Sequence, residues 1–108
     1  GCRLELDGKI IAYIPDTGPC ENAVLLAEDA DLIIAECAFL PGEECKDWPH
    51  LNPQDAVDIA RRAKAKKLAL THFDAGRYTS LQMRHQAAAT AEGFSDIVVA
   101  EDEMVLHL

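Results

Sequence analysis

Asp31-Leu32-Ile33-Ile34-Ala35-Glu36-Cys37 is an apolar run of strand length with a carboxylate set near its end. Alternating apolar and polar residues mark a strand with one face in water, whereas an unbroken apolar run marks a strand covered on both faces. The segment therefore predicts a central strand. Lys67–Thr71 (KLALT) and Lys9–Ile14 (KIIAYI) have the same character. Between these runs the apolar spacing becomes helical. Glu21–Glu28 places Ala23, Val24 and Ala27 on one face behind acidic residues suited to a helix N-terminus. Asn52-Pro53 supplies an N-cap and a first-turn proline for a helix over Pro53–Ala65, with Ala56, Ile59, Ala60 and Ala63 on its stripe. Ser80–Glu92 predicts an alanine-rich helix closed by Gly93. Cys2–Leu6 and Lys9–Ile14 flank Asp7-Gly8, the dipeptide of a two-residue hairpin, and Asp96–Ala100 and Met104–Leu108 predict two closing strands. The order is ββαβαβαββ, an α/β fold with a mixed sheet and about three helices on one face. Helices on one face leave the other bare, and strands this apolar need a partner there.

A chain of 108 residues rarely splits into two cores, so residues 1–108 read as one domain. A hydrophobic content of 49% excludes disorder, and no apolar run approaches the ~20 residues of a bilayer span. Nineteen acidic against ten basic side chains give a net charge of −9, which repels phosphate backbones and disfavours RNA bound by counterion release. Cys2, Cys20, Cys37 and Cys45 form no C-x-x-C pair, which points to a reducing, cytoplasmic compartment with three of them as small buried hydrophobes. The opening Gly1-Cys2-Arg3 runs at once into strand-like sequence and reads as a piece of a longer chain.

Four residues carry chemistry. Asp16, in Asp16-Thr17-Gly18, follows an apolar strand, where α/β sheets hold their ligands, although turn chemistry accounts for Asp and Gly there as well. Asp-Thr-Gly also marks retroviral-type aspartic proteases, but that fold is nearly all β and the helices here exclude it. His72, in Leu70-Thr71-His72-Phe73, stands at a second strand end. Two metal-ligand residue types at the same end of two strands converge on one sheet edge, yet zinc takes three or four ligands, so more must come from elsewhere. His50 closes the long segment Phe39–Pro49 just before a helix, a place for an imidazole that moves a proton. Glu36, in an otherwise apolar strand, needs a partner, and His50 is the candidate. His85 and His107 read as structural or solvated.

In order along the chain stand GKIIAYIPDTGPCEN, ADLIIAE, HLNPQDAVDIA and KLALTHF, and the chain closes with IVVAEDEMVLHL. Together they resemble the C-terminal half of the metallo-β-lactamase fold, an αββα sandwich, in its ribonuclease Z and phosphodiesterase-like branch. The resemblance implies that Asp16 bridges two metal ions, zinc or manganese, and that His72 binds one of them. It implies that His50 takes the place of a proton-donating histidine in a His-Ser-Thr-like segment. Glu36 resembles the glutamate of a His-Glu-Ala-Thr-like segment, with Ala35 standing where the histidine would be. The family's His-x-His-x-Asp-His signature belongs to the N-terminal half and is not in this sequence. The implied function is the C-terminal part of a two-metal phosphoester hydrolase acting on a small phosphoester or related substrate. Alone it would bind metal weakly or not at all and would not turn over. The implied partner is the N-terminal half or a second copy. The competing reading is a nonenzymatic α/β module whose bare sheet face binds another chain.

Overall fold

A computed structural model describes all 108 residues. The chain runs β1 (Cys2–Leu6), β2 (Lys9–Ile14), α1 (Glu21–Leu26), β3 (Leu32–Glu36), α2 (Pro53–Arg62), β4 (Leu68–Thr71), α3 (Leu81–Thr90) and β5 (Ile97–Val99). The β1–β2 hairpin turns on Asp7 and Gly8, whose φ values of 50° and 73° are the left-handed pair that a type I′ turn requires. The sheet has the order β1-β2-β3-β4-β5, with β1 antiparallel to β2 and every later neighbour parallel, so β3 is central.

Register sorts the side chains into two layers. Ala12 pairs with Ile33 and Ile14 with Ala35, and these continue to Leu68 and Leu70 of β4. All six are buried and join residues of the three helices in one cluster of 19 buried residues. Helix α2 sits at its middle, started by Asn52, whose side chain accepts from Asp55 N (2.9 Å) while the Asp55 carboxylate accepts from Asn52 N (3.3 Å). The opposite face carries Leu4, Ile11, Tyr13, Leu32, Ile34, Ala69 and Val98, none of which belongs to the cluster the helices join; Leu32 and Ala69 are buried and the others are partly or largely exposed. Leu4 is 46% and Tyr13 43% exposed there.

Two expectations fail. Met104–Leu108 makes no strand pairing; Met104 N instead donates to Glu101 O (3.1 Å) in a turn. Strand β5 is three residues long and is followed, after Ala100, by Glu101-Asp102-Glu103, so a sixth strand has little template and must leave a run of like charge. Of the cysteines only Cys37 is buried; Cys2 lies on the edge strand, Cys20 at the start of α1 and Cys45 in the long loop, all exposed. Burial and the neighbouring Glu36 carboxylate push the Cys37 thiol up to about 12. Because the folded thiol holds its proton where an unfolded one loses it, this group leaves stability intact below pH ~9 and erodes it as the pH climbs from there toward about 12.

Two outcomes are expected. Thiol titration of the native chain at neutral pH should label Cys2, Cys20 and Cys45 quickly and Cys37 only on unfolding; fast labelling of all four would contradict the packing. Light scattering at micromolar concentration should show self-association through the open sheet face, reduced by Tyr13→Lys; a monodisperse monomer would mean the face is satisfied without a partner.

Candidate functional site

Because β2, β3 and β4 are parallel, their carboxyl ends fall on one edge of the sheet, and each delivers one chemical residue there. Asp16 follows β2, Glu36 ends β3 and His72 follows β4. His72 leaves its strand with φ at 52°, a left-handed turn that ends the strand. Its Nε2 lies 3.1 Å from Asp16 Oδ1, with both side chains more than half exposed. His50 arrives from the loop before α2, its ring loosely stacked on that of His72 (centroids 6.2 Å, planes 28° apart). Ligand-type atoms of Asp16, His50 and His72 all lie within 4.8 Å of one another.

Beneath this exposed pair lies a buried one. Glu36 is fully buried, and its carboxylate accepts four hydrogen bonds. Oε1 accepts from His50 Nδ1 (2.9 Å), Leu51 N (2.9 Å) and Thr17 N (3.3 Å), and Oε2 from Ala38 N (2.8 Å). The expected Glu36–His50 partnership is therefore present. With Nδ1 committed, Nε2 is the atom of His50 left for chemistry. The backbone partners were invisible in the sequence, because turns bring them in from three different segments.

The loop carrying His50 is fastened at many points. Phe39 N donates to Leu51 O (3.1 Å), Asn52 Nδ2 to Glu43 O (3.1 Å) and the Tyr78 hydroxyl to Phe39 O (2.6 Å). Arg77 Nε donates to both oxygens of Glu43 (2.5 and 2.9 Å), and its guanidinium lies 5.2 Å from the Phe39 ring and 5.5 Å from that of Trp48. Glu43 beside it raises the Arg77 pKa further. One arginine thus ties the loop bearing His50 to the loop that follows His72. Sequence reasoning missed Arg77, whose acidic partner lies 34 residues away. Trp48 meets His50 edge to face at 4.4 Å between centroids. Gly18 closes the near side, where a Cβ would come within 2.7 Å of Pro49 Cβ. Between these loops lies a hollow of about 460 Å³ lined by Gly18, Pro19, Glu44, Cys45, Lys46, Pro49 and His50.

Residues 1–73 match the family model described as the beta-lactamase superfamily domain. The chain belongs to that superfamily. Its match to solved structures covers 97% of the chain: the metallo-β-lactamase fold protein YhfI of Bacillus subtilis superposes with a TM-score of 0.81 at 27% identity, over 42% of YhfI. The short form of human tRNase Z superposes with a TM-score of 0.69 at 28% identity, over 35% of that chain. Among curated proteins, the ribonuclease Z of Bacillus licheniformis is 40% identical over 97 residues, 88% of this chain and 31% of that protein. The ribonuclease Z of Thermobifida fusca is 40% identical over 115 aligned positions, 96% of this chain and 36% of that protein. The chain thus spans about a third of the length of the curated relatives it matches. The chain matches one side of the superfamily's sandwich, whose other side would cover this open sheet face.

Removing the Glu36 carboxylate strands a buried imidazole and three backbone donors. Glu36→Ala should lower the unfolding free energy by about 3–5 kcal/mol in urea titrations, with Glu36→Gln intermediate because one oxygen remains to accept. A loss below ~1 kcal/mol would mean the network bears no load.

Proposed function

We propose that this chain is the C-terminal part of a metal-dependent phosphoester hydrolase, with Asp16 and His72 as metal ligands, His50 as the proton donor and Glu36 as the group that orients it. The observation that carries this reading is the convergence of Asp16, His50 and His72 within 4.8 Å on one sheet edge. Its ribonuclease Z relatives support phosphoester cleavage as the reaction class. Asp16 and His72 offer one carboxylate and one imidazole, donor types that zinc and manganese accept, so the two residues fit part of a metal centre. A bound metal pair supplies Lewis-acid activation of water and neutralises charge on the phosphoryl oxygens.

The chain's own residues do the rest. Asp16 and His72 present their donor atoms from strand ends, where the sheet holds them without a flexible tether. Glu36 accepts from Nδ1 of His50 and so leaves Nε2 as the nitrogen that hands a proton to the leaving oxygen. Trp48 and Phe39 pack edge to face on His50, restricting the ring to one orientation. The chain carries only part of the ligand set, so we assign catalysis to its assembly with the N-terminal half of the fold or with a second copy in a cytoplasmic setting. The open sheet face also supports a second reading, a nonenzymatic module that binds another chain through Leu4, Tyr13 and Ile34.

Zinc titration by calorimetry separates the two. The 108-residue chain should bind zinc weakly, at least ~tenfold more tightly than Asp16→Asn or His72→Asn, the latter chosen because asparagine tolerates the left-handed backbone at that position. It should show no turnover of bis(4-nitrophenyl) phosphate by itself. Equal zinc affinity in all three proteins would overturn the metal assignment, and activity of the isolated chain that survives His50→Ala would overturn the assignment of the proton donor.

A further inference from the structure

The two edges of the sheet are unlike. Strand β5 offers three residues and runs on through Ala100 into Glu101-Asp102-Glu103, so a second copy laid against it meets like charge. Strand β1 offers five, Cys2–Leu6, and no strand pairs with its outer side. The peptide groups of β2 show which of the five face outward. Ile10 N donates to Asp31 Oδ2 (2.8 Å) and Ile10 O accepts from Asp31 N (2.8 Å), so Ile10 and, by alternation, Ala12 turn toward β3. Lys9, Ile11 and Tyr13 face β1, where they meet Leu6, Leu4 and Cys2. The N–H and C=O of Arg3 and Glu5 are therefore aimed out of the edge, with no strand to receive them.

The side chains alternate to match. Cys2, Leu4 and Leu6 lie on the open face, all exposed, whereas Arg3 and Glu5 share the face of Ala12 and Ile10, which packs on the helices. Arg3 is held in place: its Nη1 donates to Leu26 O (3.1 Å) and Glu28 O (2.7 Å), where α1 ends, and its Nε to Glu5 Oε1 (3.2 Å). The edge thus presents a fixed cation and an anion on either side of Leu4. If a second β1 meets it about a twofold axis, the two strands run antiparallel, and the outward peptide groups let the register shift only by two residues. With Leu4 opposite Leu4, Arg3 of each copy faces Glu5 of the other. A shift one way sets Arg3 opposite Arg3, and a shift the other way sets Glu5 opposite Glu5. Only the central register pairs unlike charges throughout. It also closes about four hydrogen bonds and brings the two leucines into the close, non-hydrogen-bonded position, with Cys2 of each copy beside Leu6 of the other.

We propose that β1 is a self-pairing edge: two copies of this chain join β1 to β1, antiparallel about a twofold axis through Leu4, and their two sheets become one. The axis stands perpendicular to the sheet, so both open faces fall on the same side and stay free for whatever covers them. The contact uses the edge alone and draws on neither Asp16, His72 nor His50, all of which lie beyond the carboxyl ends of β2, β3 and β4. It is therefore independent of the hydrolase reading.

Sedimentation velocity tests the edge in the Tyr13→Lys chain, where association through the open face is suppressed. The interface is small, so a dimer with a dissociation constant of roughly 10–100 μM is expected. Glu5→Pro deletes an outward N–H and leaves the bonds between β1 and β2 intact, and Glu5→Lys sets like charges opposite each other; each should raise that constant at least ~tenfold with the circular dichroism unchanged. Register is read by crosslinking. Under oxidised glutathione, Leu6→Cys should join two copies through a disulfide from position 6 to Cys2 of the other, mapped by mass spectrometry. Within one copy these positions lie about 13 Å apart along the strand, too far to bond. A monomer up to roughly 500 μM, a dimer unmoved by both Glu5 variants, or crosslinks that bypass the pairing of position 6 with Cys2 would each overturn the proposal.

Discussion

At the carboxyl end of the central strand, the Glu36 carboxylate is sealed from solvent and answered by four donors drawn from the two loops that follow β2 and β3. A charge so placed is tolerated only when its lone pairs are filled, and filling them dictates where the chain goes next. Thr17 N fixes the turn after β2, Ala38 N the exit from β3, and Leu51 N with His50 Nδ1 the return of the long loop before α2. Each of these segments carries or borders a residue of the site. The carboxylate is thus an assembly point: loops of different lengths meet at one buried charge, and the exposed Asp16–His72 pair is built on top of it.

The parts of this structure that repeat with a period were legible in the sequence. Strand runs such as LIIA and LALT, the Asp7-Gly8 turn and the Asn52-Pro53 helix start express local preferences, and their elements fall where those preferences put them, with ends displaced by one to three residues. Helix α1 stops at Leu26 and α2 at Arg62, both short of the apolar spacing, because each chain end turns to enter the next strand. Met104–Leu108 misled because alternation alone does not make a strand; a neighbour long enough to pair with is also needed, and β5 offers three residues. The cysteines misled for a related reason, since thiols at a strand edge, a helix start and a loop are small enough to be placed anywhere.

For the site, strand-end position was sufficient to bring Asp16 and His72 together, and an isolated acid in an apolar strand was sufficient to pair Glu36 with His50. What stayed hidden were contacts made by loops: Arg77 on Glu43 across 34 residues, and backbone donors that any sequence would possess. Loop residues have no period from which to infer their neighbours. Arg77 is the clearest case, because its fork on Glu43 and its cover over Phe39 and Trp48 together decide how far apart the two histidine-bearing loops stand.

The contact between Gly18 and Pro49 has an evolutionary reading. Two loops approach so closely that a single methyl on one would strike the ring of the other, so these two positions cannot vary independently. Neither belongs to the reacting cluster, yet a larger residue at 18 becomes acceptable only alongside a smaller one at 49, and the reverse. Among descendants of this sequence the pair should drift together or stay fixed together, leaving a covariation signal at a place where chemistry alone would suggest freedom.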